Sequence, residues 1–328
     1  MPSMVIGPDF PLPGTVAAPR PPAGAGTSRG KIRLSRAGAH WFDRVTGLNI
    51  LLEGVVAPAG YWSRAPRYVS IALTNACELR CPFCYAPKVP GRLEAVAVIG
   101  WVDELDRSGT LGVGFGGGEP TAHPDFARIC AAVADRTRVA VSFTTHGHRM
   151  NSRLAAMLRG NVHFARVSMD GLGETYAQLR GRSFDAFQRQ LEIVASIAPF
   201  GLNVVINDDT LPQLDEIASF ANRAGAQEIL LLPEQPTTGR PGISHSAVLR
   251  LTEWVSCARP GIRLTMSAAG ANASMPLAEP FPGESPLEAH AHIDALGLLR
   301  ADAYSTEGVP VAKSILDSVD HLRARTAS

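Results

Sequence analysis

Apolar and polar residues alternate along most of the chain in blocks that predict strands and helices in turn. Short apolar runs with the length of buried strands lie at Tyr68–Leu73, Leu111–Phe115, Val139–Thr144, Phe164–Ser168, Leu202–Ile206 and Glu228–Leu232. Between them, apolar residues recur every three or four positions, which predicts helices at Val98–Leu105, Pro124–Val133, Arg153–Leu158, Phe184–Ile197 and Leu214–Ala224. Strands that alternate with helices over short connections indicate an α/β fold with a parallel sheet covered by helices.

The flanking regions have a different pattern. Residues 1–38 are rich in Pro, Gly and Ala and predict a disordered tail. Residues 39–65 contain two apolar runs around Thr46-Gly47, which predict an N-terminal hairpin. The strand–helix domain is expected over residues 66–245. Residues 246–328 form a small C-terminal α+β extension, with a loose segment from Ser267 to Leu287, a hairpin around Gly297 and a final helix.

Charge and cysteine content exclude several classes of protein. The net charge of +1 gives no reason to expect a nucleic acid or a membrane surface as partner. No run approaches the roughly 20 apolar residues of a membrane helix, and no secretory signal is apparent, so we expect a cytoplasmic protein. The cysteine count is odd, at 5 with three clustered, which argues against a disulfide framework.

Three cysteines follow the first predicted strand in a C-x3-C-x2-C pattern: Cys77, Cys81 and Cys84. Three thiolates from one loop can hold three irons of a four-iron cluster, whereas most such clusters are closed by four cysteines. A structural zinc site usually shows a second C-x2-C pair or a late histidine pair, and no second C-x2-C is present. The pattern therefore favours a cluster with one open iron, with a zinc or redox-only site as the alternative.

The cysteine motif resembles the signature of the radical S-adenosylmethionine (SAM) superfamily at Cys77, Cys81, Phe83 and Cys84, and the resemblance continues through roughly Tyr68 to Arg240. It implies a partial (β/α)6 TIM-like barrel with its chemistry at the C-terminal ends of the strands. It also implies one 4Fe-4S cluster, held by the three cysteines, whose open iron is chelated by SAM. A one-electron reductant such as flavodoxin or ferredoxin would then drive reductive cleavage of SAM to a 5′-deoxyadenosyl radical.

Further motifs resemble the SAM contacts of that family. Gly116-Gly117-Gly118-Glu119-Pro120 resembles the motif that binds the SAM amino group, and Ser168-Met169-Asp170-Gly171 resembles Ser-Leu-Asp-Gly. Thr144-Thr145-His146-Gly147 resembles a third motif, in which His146 replaces the family's asparagine. His146 is interpreted either as a proton-transfer group or as a hydrogen-bonded loop residue. The resemblance implies SAM contacts from Phe83, Gly117, Gly118, Glu119, Thr145, Ser168, Asp170 and Asn207.

The C-terminal extension resembles the SPASM or twitch extension of peptide-modifying relatives, which carries auxiliary clusters. Ala303 and Ser305 stand where a cysteine is expected, so the extension is interpreted as degenerate and cysteine-poor. The resemblance favours a peptide substrate, as in the maturation of ribosomally made natural products. The alternatives are an epimerase, mutase or dehydrogenase of a small sugar or nucleoside, and a non-catalytic metal- or cluster-binding protein. Cys257 and Tyr304 are candidate hydrogen-atom donors.

Overall fold

The computed structural model describes residues 4–5, 30–237, 239–257, 260–266, 281 and 283–326. Its strands are β1 Met4–Val5, β2 Gly30–Ser35, β3 Gly38–Asp43, β4 Asn49–Leu52, β5 Val55–Val56, β6 Tyr68–Thr74, β7 Gly112–Gly117, β8 Ala140–Thr145, β9 Phe164–Ser168, β10 Phe200–Ile206, β11 Glu228–Pro233, β12 Arg263–Met266, β13 His290–Ile293, β14 Leu298–Arg300 and β15 Val309–Pro310. Its helices are α1 Ala95–Arg107, α2 Phe126–Arg136, α3 Ser152–Leu158, α4 Gly173–Arg180, α5 Phe184–Ala195, α6 Leu214–Arg223, α7 His245–Cys257, α8 Pro286–Ala289 and α9 Ile315–Thr326.

A ten-stranded sheet organises the molecule, in the order β12-β11-β10-β9-β8-β7-β6-β13-β14-β15. From β6 to β12 each strand lies beside the next one along the chain, and every pair is parallel. The prediction of an α/β fold with a partial TIM-like barrel is confirmed. All the predicted strands are present, and β12 adds a further parallel strand that the apolar pattern did not indicate.

The C-terminal segment extends this sheet at its other edge. Strand β13 pairs in parallel with β6, the first barrel strand, and β14 and β15 continue the sheet in antiparallel fashion. The predicted hairpin around Gly297 is the β13–β14 connection, where Gly297 takes a φ of 81° that favours glycine. The proposed domain limits at residues 65 and 245 stay predictions.

The side chains of the barrel strands alternate between two environments. In β6, Val69, Ile71 and Leu73 are fully buried in the main hydrophobic core, which also includes Val98 and Val102 of α1. Tyr68 and Ser70, on the other side of the strand, line a central cavity that Ile71 also borders. The period of two in a strand therefore separates a core that stabilises the fold from a lumen that is free for polar groups.

A small sheet of β2, β3 and β4 packs against the end of the barrel at which the parallel strands begin. The predicted tail is therefore wrong for residues 30–38, which form β2 and the turn into β3. Buried cations fasten this sheet. Lys31 donates to the carbonyl oxygens of Asp106 and Thr110, and Arg44 donates to those of Ala134, Thr137 and Val139. Composition indicates nothing of this, because such contacts are made with backbone carbonyls distant along the chain.

The predicted tail up to residue 29 lies outside the described residues, apart from β1. The same holds for residues 267–280 and 282 of the segment expected to be loose. Among the helices of the described residues, none combines the length and apolar character needed to cross a membrane.

Candidate active site

A cavity of about 290 Å³ opens among the C-terminal ends of the barrel strands. The cysteine loop after β6 forms one wall, the glycine run at the end of β7 forms the next, and β8 to β11 complete the ring. Most of the residues that the sequence analysis selected line this one cavity: Cys77, Cys81, Phe83, Cys84, Gly117, Gly118, Glu119, Thr145, Ser168, Asp170 and Tyr304.

The three motif cysteines are partly buried free thiols on the cavity wall. Burial raises the pKa of the Cys77 thiol and of the Cys81 thiol. Arg180 opposes this effect at Cys81, because its Nη1 lies 3.6 Å from Sγ of that cysteine. Nζ of Lys88 lies 3.3 Å from Sγ of Cys84. Such donors stabilise thiolates, the form in which cysteine binds iron.

Two glycines allow the end of β7 to contact the cysteine loop. A Cβ on Gly117 would lie 2.2 Å from the carbonyl oxygen of Thr74, and one on Gly118 would lie 2.5 Å from that of Ala76. Close approach permits two backbone hydrogen bonds, from Gly118 N to Thr74 O at 2.7 Å and from Glu119 N to Ala76 O at 2.9 Å. The glycine motif therefore positions the cysteine loop directly beside Glu119.

Glu119 is a carboxylate only 1% exposed, held in one orientation by its neighbours. Its Oε1 accepts hydrogen bonds from the hydroxyls of Thr121 at 2.6 Å and Thr145 at 2.8 Å. Its Oε2 accepts from the backbone N–H of His146 at 3.0 Å. Within the described residues no lysine or arginine pairs with Glu119. A buried carboxylate of this kind fits an ammonium group supplied by a ligand.

His146 is buried against two carboxylates. Its Nδ1 accepts a hydrogen bond from the backbone N–H of His148 at 3.0 Å, so a neutral ring carries its proton on Nε2. Nε2 lies 3.3 Å from Oε2 of Glu119 and 3.5 Å from Oε2 of Glu78. The histidine that replaces the expected asparagine is thus in direct contact with the carboxylate of the glycine motif.

Asp170, which follows β9, forms a buried ion pair with Arg180. Asp170 is fully buried, and its Oδ1 also accepts a hydrogen bond from Val205 N at 2.7 Å. Burial raises the pKa of the Asp170 carboxyl despite the guanidinium beside it. The guanidinium carbon of Arg180 lies 5.3 Å from the ring centroid of Phe83. Arg180 therefore joins Asp170, Cys81 and Phe83, the aromatic residue of the cysteine motif.

Arg180 is not among the site residues predicted from sequence, because helix α4 is not predicted either. That helix has a weak apolar pattern and buries only Tyr176 and Leu179. The one available signal was an arginine in the last turn of a segment following Ser168-Met169-Asp170-Gly171. The partners of that arginine are 10 and 99 positions away along the chain.

Two predicted site residues lie elsewhere. Asn207 is not on the cavity wall; its amide donates to Oε2 of Glu234 at 2.7 Å, and its Oδ1 accepts from the backbone N–H groups of Asp209 and Thr210 at 3.0 Å. It stabilises the turn after β10. Asn203 of β10 and Gln235, which follows β11, line the cavity instead. Cys257 is exposed at the end of α7 and is likewise absent from the wall.

Tyr304 does line the cavity, and its ring packs against Tyr85 with centroids 4.7 Å apart. This contact connects the C-terminal segment to the residue that follows Cys84. Ala303, one of the residues expected to be cysteine in a cluster-bearing extension, lies on the same wall.

Residues 71–221 match the family model described as "Radical SAM superfamily". These residues therefore form a radical SAM domain. The cofactors of this superfamily are a 4Fe-4S cluster and SAM, and the residues present fit both groups. The three thiols of one loop provide cluster ligands, and the adjoining buried Glu119 pairs with no lysine or arginine among the described residues.

Two relatives illustrate the sequence similarity. The chain is 35% identical over 170 residues to the mycofactocin maturase MftC of Mycobacterium tuberculosis, covering 49% of this chain and 43% of MftC. It is 27% identical over 173 residues to the PqqA peptide cyclase of Gluconobacter oxydans, covering 50% of this chain and 48% of the cyclase. The chain thus spans less than half the length of these relatives.

Solved structures show the same fold over a larger part of the chain. SuiB of Streptococcus suis bound to the precursor peptide SuiA matches with a TM-score of 0.72 at 14% identity, covering 92% of this chain and 90% of SuiB. SuiB bound to SAM matches with a TM-score of 0.71. The assignment of the extension to the SPASM or twitch branch stays a prediction.

Proposed function

We propose that this protein is a radical SAM enzyme that modifies a peptide. The observation that carries the proposal is the arrangement of three half-buried thiols and the buried Glu119 carboxylate around one cavity, joined through Gly117 and Gly118. The bound cluster and SAM supply hydrogen-atom abstraction by a 5′-deoxyadenosyl radical. A one-electron reductant of the flavodoxin or ferredoxin class is proposed as the partner.

Each wall of the cavity has a distinct task in this proposal. Cys77, Cys81 and Cys84 hold the cluster, and Arg180 provides positive charge beside Cys81. Glu119 binds the SAM amino group, and Thr145 keeps that carboxylate oriented. The remaining SAM contacts come from residues that already lie on the wall: Phe83, Ser168 and Asp170.

The proposal that the substrate is a peptide rests on the names of similar proteins. The PqqA peptide cyclase aligns with half of this chain, and SuiB was solved with a precursor peptide. A nucleotide-like small molecule is the second candidate, because the chain is also 25% identical over 187 residues to a probable GTP 3′,8-cyclase of Methanococcus vannielii. Identity to that cyclase is lower than identity to MftC, at 25% against 35%.

The first test is reconstitution with iron and sulfide under anaerobic conditions, followed by SAM and dithionite. We expect 5′-deoxyadenosine, measured by mass spectrometry, from the wild type and none from Cys81→Ala. Cys257→Ala is the matched control, since it removes a thiol that lies outside the cavity, and it should retain activity. If Cys81→Ala were as active as the wild type, the radical SAM proposal would fail.

The second test concerns the substrate class. The reconstituted protein is incubated with synthetic versions of short peptides encoded beside its gene, and separately with GTP and nucleotide sugars. We expect a mass change in a peptide that requires SAM, dithionite and Cys81. Conversion of GTP or a nucleotide sugar, with every peptide unchanged, would favour the small-molecule alternative.

A further inference from the structure

Three polar side chains form a hydrogen-bonded chain between strands β6 and β13. Nδ1 of His290 lies 3.1 Å from the carbonyl oxygen of Ala301. Nε2 of the same ring lies 3.3 Å from Oγ of Ser70, and Oγ of Ser70 lies 2.8 Å from Nδ1 of His292. The parallel register pairs His292 with Ser70, so the two side chains share the lumen side of neighbouring strands.

The direction of this chain of hydrogen bonds follows from its buried end. A carbonyl oxygen can only accept, so Nδ1 of His290 carries a proton and Nε2 of that neutral ring accepts one from the Ser70 hydroxyl. The Ser70 oxygen then accepts from Nδ1–H of His292. This arrangement satisfies every donor, and it leaves Nε2 of His292 with a free lone pair.

Both rings are neutral near pH 7, as this arrangement requires. Burial, together with the neighbouring His290, lowers the pKa of His292 to about 4, and burial also lowers the pKa of His290. The nearby Asp294 is paired with Arg300 at 2.8 Å, so this carboxylate is already occupied.

His292 faces the same cavity as the cluster cysteines. Ser70 and His292 both line it, whereas His290 does not. Within the described residues, Nε2 of His292 has no hydrogen-bond partner, while the neighbouring Tyr68 hydroxyl is engaged with Oγ of Ser142 at 3.0 Å. An acceptor without a donor therefore lies on the β6–β13 wall, apart from the SAM-binding residues that the carboxyl ends of β7 to β9 carry.

We propose that Nε2 of His292 orients the substrate by accepting a hydrogen bond from it, with Ser70 and His290 as positioning residues that hold the ring and its tautomer. This proposal rests on the proposed function, because it assumes that a peptide enters the cavity beside SAM. The group recognised is an N–H or O–H of that peptide, either a backbone amide or a side-chain hydroxyl. Once a peptide fills the cavity and excludes water, this acceptor selects for such a donor, since a substrate lacking one leaves it unpaired.

The first experiment needs no substrate. Diethylpyrocarbonate acylates a histidine nitrogen that has a free lone pair, and tryptic mass spectrometry locates the product. In the reconstituted protein at pH 7 we expect His292 to be acylated at least tenfold faster than His290, whose two nitrogens are both engaged. Equal rates, or no acylation of His292, would overturn the proposed orientation.

The second experiment measures orientation of the peptide that the substrate test identifies. In His292→Phe we expect the ratio of modified peptide to 5′-deoxyadenosine to fall at least tenfold, and kcat/KM for the peptide to fall with it. His292→Gln, which places an amide oxygen near the position of Nε2, should recover part of the loss. His321→Phe, on the exposed face of α9, is the matched control and should leave the ratio unchanged.

Peptide analogues then identify the donor. One set is N-methylated at single backbone amides, and the other lacks single side-chain hydroxyls. The analogue that loses activity with the wild type but not further with His292→Phe carries the group that His292 recognises. An unchanged product ratio in His292→Phe would overturn the proposal, whereas absence of 5′-deoxyadenosine from the wild type would instead count against the proposed function.

Discussion

At the scale of single residues, the cavity depends on charged groups that are buried and paired. Glu119 relies on four hydrogen-bond donors, and Asp170 relies on Arg180 and on the backbone N–H of Val205. Burying a charge costs free energy unless the charge is paired. The contacts that offset this cost also fix the two carboxylates in position. Substitution of one partner should therefore disturb stability as well as binding.

Arg180→Met should lower the free energy of unfolding by about 3–5 kcal/mol, because it leaves the Asp170 carboxylate buried without its partner. The double variant Arg180→Met with Asp170→Asn should recover much of that loss, since a neutral amide needs no cation. Urea denaturation of the cluster-free proteins measures both effects. A single variant within 1 kcal/mol of the wild type would show that the ion pair is dispensable.

Glu119→Gln should weaken SAM binding by roughly ten- to a hundredfold, the magnitude expected for loss of one charge-assisted hydrogen bond. The fold should be retained, because the amide oxygen can still accept from Thr121 and Thr145. Equilibrium dialysis with reconstituted protein measures the affinity. Asp125→Asn, which alters an exposed carboxylate paired with Arg128, is the control with unchanged SAM affinity.

Acid should destabilise the protein through two histidines. Burial lowers the pKa of both His148 and His292 to about 4 in the folded state, below the value of about 6.5 expected when unfolded. Between these values the unfolded state binds more protons, so stability is full above pH 6.5 and falls as pH decreases toward 4. His292 should contribute about 1–3 kcal/mol to that fall, and the more exposed His148 should contribute less because solvent screens its charge. His148→Asn should flatten the pH dependence of urea denaturation, and an identical slope would contradict the assignment.

At the scale of strands and helices, glycines of β7 make room inside the barrel. A Cβ on Gly114 would lie 1.9 Å from the Tyr68 hydroxyl and 3.2 Å from Oγ of Ser142. The Tyr68 ring therefore extends across β7 and reaches Ser142 on β8. Small residues on one strand let a large side chain of its neighbour form the floor of the cavity.

Gly114→Ala should lower the free energy of unfolding by about 1–3 kcal/mol, the usual cost of overpacking. It should also displace the Tyr68 side chain, and a change in tyrosine fluorescence or absorbance would report this displacement. Gly100→Ala is the matched control, since its added Cβ meets nothing within 4 Å on the exposed side of α1. That substitution should raise stability by about 0.5–1 kcal/mol, because alanine favours helix more than glycine.

The elements show where prediction from sequence succeeds. The six barrel strands were predicted because continuous apolar runs mark strands that are buried on at least one face. Strand β12 was missed because it has four residues and begins with Arg263, and helix α4 was missed because it buries little. Asn207 lies off the cavity wall for another reason: position at a strand end does not determine whether a side chain turns into the lumen or back onto its own loop.

At the scale of the whole molecule, a small N-terminal sheet is attached to the barrel by cations that bind the ends of helices. Lys31 contacts the last turn of α1. Arg44 contacts the last turn of α2 and two of the three residues between α2 and β8. Carbonyl groups at helix C-termini lack intrahelical partners and carry partial negative charge, so a buried cation stabilises them. The sheet and the two helices should therefore unfold together.

Arg44→Met should lower the free energy of unfolding by about 2–4 kcal/mol, because three backbone carbonyls lose a charged donor in a buried site. Limited proteolysis should show faster cleavage between residues 30 and 65. Arg128→Ala is the control: it removes an arginine that is exposed to solvent, and it should change the free energy of unfolding by less than about 0.5 kcal/mol. Equal effects of the two substitutions would show that burial of Arg44 is not what matters.

The pairing of β13 with β6 has a consequence for folding during synthesis. Strand β6 and its cysteine loop leave the ribosome more than 200 residues before His290–Ile293, their partner along that edge. Until then the edge of β6 is unpaired, and the cavity wall formed by His292, Ala303 and Tyr304 does not exist. Contacts of such long sequence separation form late and slow folding. The nascent barrel therefore passes through a stage with its three thiols reachable from the side, which provides an interval for cluster insertion and also exposes those thiols to oxidation.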